Sequence, residues 1–414
     1  MKKNEILNGI KMAVFTALLG ITAGIVIWVF LKAVSICTEL LWKGIPAGSG
    51  SLYIMIPVCA AGGLAVGMLR KRFGDYPEDL QTVMAKVKKN KHYEYRPMLV
   101  ILVCAFLPLV LGASVGPEAG LTGIIAALCY WVGDNVTYAR KHTEEFSRIG
   151  EAVTLSQLFH APLFGIFAVE EDSAPDADGA GIPKIQKLVL YGISTASAFL
   201  TTELLNSLFG KAMAGFPSFS EITAGVQDYL MLFIYIPVGI LLYLVFELCE
   251  TLTKEAARRV PAVLKETICG AVIGIAALLM PLILFSGEEP MGELMNTFGS
   301  YAPWFLIGSC LLKILMTAFC IHFGLKGGHF FPLIFACTCM GFGIAALVFA
   351  EPSGHVVYAA GIITAVTLGA QLKKPLAVAF LMLLCFPLRF LLWAVLAAAI
   401  GSFFGKKLLK SKTE

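Results

Sequence analysis

The stretch "LVLGASVGPEAGLTGIIAAL", residues 109–128, sets Gly112, Gly116, Pro117 and Glu118 inside an otherwise apolar run. Proline fits the first turn of a helix, where its missing N–H costs nothing. Gly112 and Gly116 let the backbone ahead of it turn sharply and pass close to a ligand. A helix starting after Pro117 leaves its first N–H groups without an internal partner and carries partial positive charge there. Such an end binds an anion with backbone alone, and Ser114, one turn earlier, offers a hydroxyl. The same residues also suit a glycine-packed kink between helices.

Composition says which solvent surrounds this stretch. Of 414 residues, 58% are hydrophobic and 14% charged, against about 25% charged in a soluble domain. The bilayer is therefore the solvent for much of the chain. A transmembrane helix takes roughly 20 apolar residues. Runs at 12–31, 51–69, 97–111, 188–202, 229–246, 267–285, 304–323, 330–350, 356–370 and 375–404 qualify as spans. The pieces 117–132, 150–158 and 161–169 are too short or too broken to span simply. Irregular backbone at membrane depth is tolerated only where protein or a water-filled cavity surrounds it. Forty glycines and nineteen prolines thus read as a pathway rather than an anchor.

The flanks add orientation. The first apolar run is too long for a signal-peptide core and reads as an uncleaved span. Basic residues gather in short loops: 70–96, 140–148, 254–265 and the tail "GKKLLKSKTE". Lys and Arg accumulate on cytoplasmic loops, whereas "SGEEPMGE", 286–293, has no basic residue and faces outside. The expectation is a multi-pass protein of the plasma or inner membrane with both termini cytoplasmic and no soluble regulatory domain. The scattered charge argues against a nucleic-acid partner. The eleven cysteines lie mostly in apolar runs at no metal-ligand spacing and read as small buried hydrophobes.

A second interrupted segment, "FGLKGGHFFPLIFACTCMGFG", residues 323–343, repeats the logic. Gly327 and Gly328 loosen the backbone before a helix that starts near His329. Phe330 and Phe331 suit the lining of a narrow pore. His329 is either a pore-lining donor or a packed histidine at a helix start. Glycine-interrupted segments in corresponding halves point to a midplane binding site.

In order, these motifs resemble the CLC chloride channel and transporter family. "GASVGP" fits the glycine–proline frame of that family's G-(K/R)-E-G-P segment. "GLKGGHFFP" matches its G-x-x-G-G-x-F-x-P segment at Gly324, Gly327, Gly328, Phe330 and Pro332. "FHAPLFGIFAVEE", 159–171, is similar to its Ala-Pro-Leu-x-Gly helix with an acidic end, and "GAQLKKPLAVAFLM", 369–382, to the segment before its penultimate helices. The resemblance runs from about residue 15 to about residue 405. It implies an all-α polytopic fold, a two-half inverted repeat of broken and tilted helices, within a single membrane domain whose halves are 11–210 and 225–405. It also implies anion sites at helix N-termini, a homodimer with one pore per subunit, no cofactor and no enzymatic activity.

The departures shape the functional expectation. The family's gating glutamate falls at Val115, which carries neither proton nor charge. Glu118, three residues on, is either a displaced gate or a carboxylate that neutralises its helix N-terminus. The family's G-S-G-I-P loop corresponds to 73–77, with Gly74 in place of the serine and Asp75 beside it, which either points to the cytoplasm or, as the preferred expectation, caps a helix near Pro77. Its tyrosine near the chain end has no match. Glu170, Glu171 and Asp172 fall where transporters keep an internal proton acid, or form a solvated helix end. Three consecutive acids cannot all face one metal ion on a helix, which argues against an intramembrane metalloenzyme. Lys313 and Arg389, inside apolar runs, either raise the potential along an anion path or pair with acids. The expected function is passive, uncoupled permeation of chloride or a similar monovalent anion over amides at 112–118 and 327–331. The alternative is a proton-coupled chloride or fluoride antiporter gated by Glu118.

Overall fold

The computed structural model describes residues 2–78, 82, 94–135, 143–170, 184–212, 217–219 and 224–413. Among the described residues the regular structure is helical. The principal helices are α1 (Lys2–Glu39), α2 (Met55–Phe73), α3 (Met98–Val110), α4 (Glu118–Asn135), α5 (Thr143–Leu158), α6 (Pro162–Glu170), α7 (Lys184–Phe209) and α8 (Val226–Arg258). They continue with α9 (Leu264–Leu279), α10 (Glu288–Thr297), α11 (Pro303–His322), α12 (Phe330–Val348), α13 (Val356–Leu372), α14 (Pro375–Met382) and α15 (Leu391–Thr413). Pro162, Pro303 and Pro375 each open a helix, the position at which the ring displaces no hydrogen bond.

Among the described residues, seven helical stretches are long and apolar enough to cross a membrane: Gly9–Ser49, Leu52–Phe73, Ile185–Phe209, Val226–Arg258, Pro303–His322, Phe330–Val348 and Leu388–Leu408. The expected span 375–404 is two helices, because the chain breaks over Leu383–Phe390 around Pro387. Arg389 lies in that break, at the start of the apolar segment Leu388–Leu408, and is exposed. The run 267–285 leaves its helix at Leu279 as Pro281 begins a 3-10 turn. The run 97–111 forms a 13-residue helix, about 20 Å long at 1.5 Å per residue and short of the hydrocarbon thickness. The piece 117–132, in contrast, is one continuous helix.

The chain divides into two compact units that interleave along the sequence. One comprises Met1–Ile36, Pro77–Phe106 and Pro117–Met213. There α5 packs on α4, α6 and α7 around Leu19, Ile125, Ile149, Val153 and Tyr191. The other comprises Cys37–Tyr76, Leu107–Gly116 and Ala214–Glu414. In it α2 pairs with α9, α8 packs on α11 and α13, and α12 lies against both α11 and α13. Ala113 and Val115 belong to its core, with Cys59, Cys269, Cys320 and Leu325. The segments 37–76 and 107–116 thus fold with the C-terminal segments.

Candidate functional site

Helix α3 ends at Val110 and the chain turns at Gly112, whose φ is +81°. L side chains rarely adopt that conformation, and a Cβ there would also fall 2.6 Å from the Trp42 ring. The turn is braced on its carbonyl side. Trp42 Nε1 donates to the Val110 carbonyl at 3.0 Å, and the Phe285 N–H donates to that of Gly112 at 3.1 Å. The Trp42 and Phe285 rings meet edge to face, centroids 5.2 Å apart.

Phe285 is in turn held by Lys313. The ammonium, fully buried on α11, donates to the carbonyls of Ile283, Leu284 and Phe285 at 3.2, 2.8 and 2.6 Å. It lies 5.5 Å over the Phe335 ring. Of the two expectations for Lys313, an acidic partner is not the one found: backbone dipoles compensate its charge. One turn on, Thr317 donates its proton to the Lys313 carbonyl at 2.8 Å and its oxygen is 3.0 Å from Ser114 Oγ. A hydroxyl carries one proton, so the Ser114 proton points to Thr317.

The second turn follows the first in spacing. Helix α11 ends at His322 and Gly324 has φ +96°. Gly116 and Gly328, four residues beyond each turning glycine, exchange N–H···O bonds at 2.8 Å in both directions, an antiparallel bridge. Two residues further on, helices start at Glu118 and Phe330. Offset by 212 positions, the two loops thus share one layout, the physical form of the faint repeat in the sequence. Gly327 permits the bridge: a Cβ there would sit 2.5 Å from Val115 Cγ2 and 2.8 Å from the Gly116 carbonyl.

Charge braces this second turn. Arg70, buried at the end of α2, donates to Glu266 at 2.7 Å and to the Gly324 carbonyl at 2.9 Å. Glu266 also accepts from the Val263 N–H at 2.8 Å, capping α9. Gly74, at φ +115°, ends α2 with its N–H on the Arg70 carbonyl. Asp75, expected as a helix cap, pairs with Arg70 and, at 2.7 Å, with Lys326.

The other expected residues fall as follows. Val115 and Glu118 are buried, and Glu118 is the first residue of α4, with Thr122 Oγ1 on its carbonyl. His329 packs between Phe246 and Phe330, 3.4 Å from Gln371. Phe331 and Pro332 are buried in the first turn of α12. Glu170 accepts the Tyr191 hydroxyl at 2.8 Å, while Glu171 and Asp172 lie outside the described residues. Among the described residues no cluster of three His, Cys, Asp or Glu side chains suits a metal. Sequence reasoning missed Trp42, Phe285 and Thr317, which carry no motif, and the pairing of Arg70 with Glu266.

A family model described as voltage gated chloride channel matches residues 62–406. YfeO of Escherichia coli O17:K52:H18 (strain UMN026 / ExPEC), which bears an ion-transport name, is 24% identical over 362 residues, 84% of this chain and 83% of its own. Chloride channel protein CLC-e of Arabidopsis thaliana is 26% identical over 359 residues, 78% of this chain and 48% of its own. The structure of a slow cyanobacterial Cl−/H+ antiporter superposes with a TM-score of 0.78 at 17% identity, covering 96% of this chain and 94% of that one. A CLC-type fluoride/proton antiporter gives 0.75 at 18% identity, covering 96% and 95%. At such identities the two structures speak for the fold.

Proposed function

Because the chain belongs to the CLC family of voltage gated chloride channels, we propose that it passes chloride or a similar monovalent anion across a membrane, passively and without proton coupling. The observation that carries this reading is the pair of glycine turns joined at Gly116 and Gly328, each two residues ahead of a helix start. The anion is held by backbone amides of the segments 112–118 and 327–331. The amides of Val115, Gly116 and Gly328 are committed to the Ala113, Gly328 and Gly116 carbonyls. The Ser114 proton is committed to Thr317. The helices that begin at Glu118 and Phe330 turn their positive N-terminal ends toward these segments, which favours an anion there. A site of amides without a hydroxyl binds loosely and releases readily, which conduction requires. Val115, uncharged at the gate position, supports uncoupled passage.

The polypeptide is read as one membrane domain, a homodimer in the cell membrane, with both termini cytoplasmic by the distribution of Lys and Arg. One observation favours the antiport alternative: Glu118, 1% exposed, is an ionisable residue inside the membrane unit. Anion efflux from proteoliposomes, with chloride, bromide and fluoride in turn and with or without a proton gradient, decides between them. Uncoupled passage predicts efflux without proton movement in wild type and in Glu118→Gln alike. Proton movement in fixed ratio to the anion, lost in Glu118→Gln, establishes antiport instead.

A further inference from the structure

The first compact unit buries polar groups that the anion site does not use. Glu151, in the middle of α5, is 2% exposed and its Oε1 has no hydrogen-bond partner. Helix α5 is polar and sixteen residues long, and is not among the segments able to span. Four hydroxyls share Glu151's condition: Thr16 on α1, Ser147 on α5, and Ser194 and Thr195 on α7, all buried and without partners.

Packing brings these groups to one junction. Phe15 meets Phe146 at 4.9 Å between centroids, so the next residues, Thr16 and Ser147, come from the same crossing of α1 and α5. Gly20, one turn after Thr16, lies directly against the Ser194 backbone. Ser147 and Glu151 are four apart on one face of α5. Tyr191, one turn before Ser194, lies within electrostatic reach of Glu151, Arg148 and Glu170. With its hydroxyl on Glu170, it lines a small cleft together with Glu145, Arg148 and Lys187. Facing Glu151 electrostatically are Cys129 of α4, Tyr191 of α7 and Arg148 of its own helix.

Buried polar atoms left unpaired by protein are where ordered water resides, each water taking two to four such partners. A carboxyl removed from bulk water also favours its neutral form. We propose that Glu151 is a buried proton-binding site, hydrated along the seam of Thr16, Ser147, Ser194 and Thr195 and reached from the cleft past Glu170 and Tyr191. The ligand is a proton, delivered by water. Helix α5 packs on α4, the helix that begins at Glu118, so the charge on Glu151 sets the potential along α4. The inference goes beyond anion permeation and does not need it.

The test is infrared difference spectroscopy of the purified full chain in lipid vesicles as pH is stepped. Wild type is expected to show the C=O stretch of a neutral carboxyl that vanishes as pH rises, in a single transition spanning about two pH units. That band is expected to be missing in Glu151→Gln and displaced in midpoint in Ser147→Ala/Ser194→Ala, which dries the seam. An unchanged titrating band in Glu151→Gln overturns the proposal. Should Glu151→Gln fail to fold, Glu151→Asp serves: a moved midpoint supports the site and an unmoved one overturns it. Anion efflux against pH is the second arm, in which the proton-dependent component is lost in Glu151→Gln. A chain that moves no anion at all removes the permeation reading and leaves the infrared result to judge the proton site.

Discussion

The turns at Gly112 and Gly324 come two residues after a helix end, carry φ of +81° and +96°, and lead to the same bridge. They are held by different forces. The first is dry: an indole N–H, a backbone N–H and a lysine whose hydrogen bonds go to carbonyls secure it. The second is ionic: Arg70, Glu266, Asp75 and Lys326 form a chain from the interior to solvent, with side-chain exposures of 7%, 2%, 67% and 24%. The contrast follows from depth. Where water is excluded, the donors, the Lys313 ammonium included, meet only backbone carbonyls. Toward water, the second brace ends in the partly hydrated Asp75 and Lys326, which tie the buried Arg70–Glu266 pair to the surface.

The largest effect is expected where the ionic brace is deepest. Glu266→Ala leaves the buried Arg70 guanidinium short of its main counter-charge and removes the α9 cap, a loss of about 3–5 kcal/mol for a broken buried pair. Thermal unfolding of the detergent-solubilised protein reads this. A change under 1 kcal/mol would mean that Asp75 alone compensates Arg70, and the two ends of the ionic chain would then be interchangeable.

The dry turn breaks less severely. Lys313→Met removes a cation whose burial is itself costly, so the lost charged hydrogen bonds are partly offset and about 1.5–3 kcal/mol remains. Freed from Lys313, the Phe285 N–H no longer fixes the Gly112 carbonyl, so anion efflux falls as well. Equal losses of stability in Lys313→Met and Glu266→Ala would erase the distinction between the two braces.

At Gly112 itself, Gly112→Ala forces a side chain into left-handed backbone at about 1–2 kcal/mol and against Trp42. The double variant Gly112→Ala/Trp42→Ala separates strain from clash: relief of part of the loss by the second substitution assigns that part to the ring. Additive losses would mean that conformation alone makes glycine necessary there.

How much of this could be read beforehand depends on sequence distance. The glycine and proline frames were legible because helix ends are written locally: Gly112, Pro117 and Gly324 each act on their own backbone. The all-helical membrane fold followed from the same local signals together with the apolar runs. The braces were not legible. Arg70 meets Glu266 across 196 positions, Ser114 meets Thr317 across 203, and Lys313 reaches carbonyls about 30 positions away. Carbonyl ligands carry no side-chain signature at all. Lys313 therefore read as a charge in search of an acid, and Asp75 as a cap. The run 375–404 read as one span because its apolar residues concealed the break at Pro387.

The smallest effect is expected at the solvent end of the ionic chain. Asp75 is two-thirds exposed, and exposed pairs contribute about 0–1 kcal/mol, less as salt rises. Asp75→Asn should therefore barely move thermal unfolding at moderate ionic strength. Its effect on transport is a separate matter, since it strips the counter-charge from Lys326, the residue before Gly327, and adds net positive potential beside the second turn. Anion efflux should rise at low salt, and the gain should fade as the Debye length shortens from about 30 Å at 0.01 M to about 10 Å at 0.1 M. The same salt series on Lys313→Met should be flat, because its carbonyl partners lie out of reach of screening ions. Parallel salt responses in the two variants would mean that the dry turn is wet, and would collapse the contrast on which the other predictions stand.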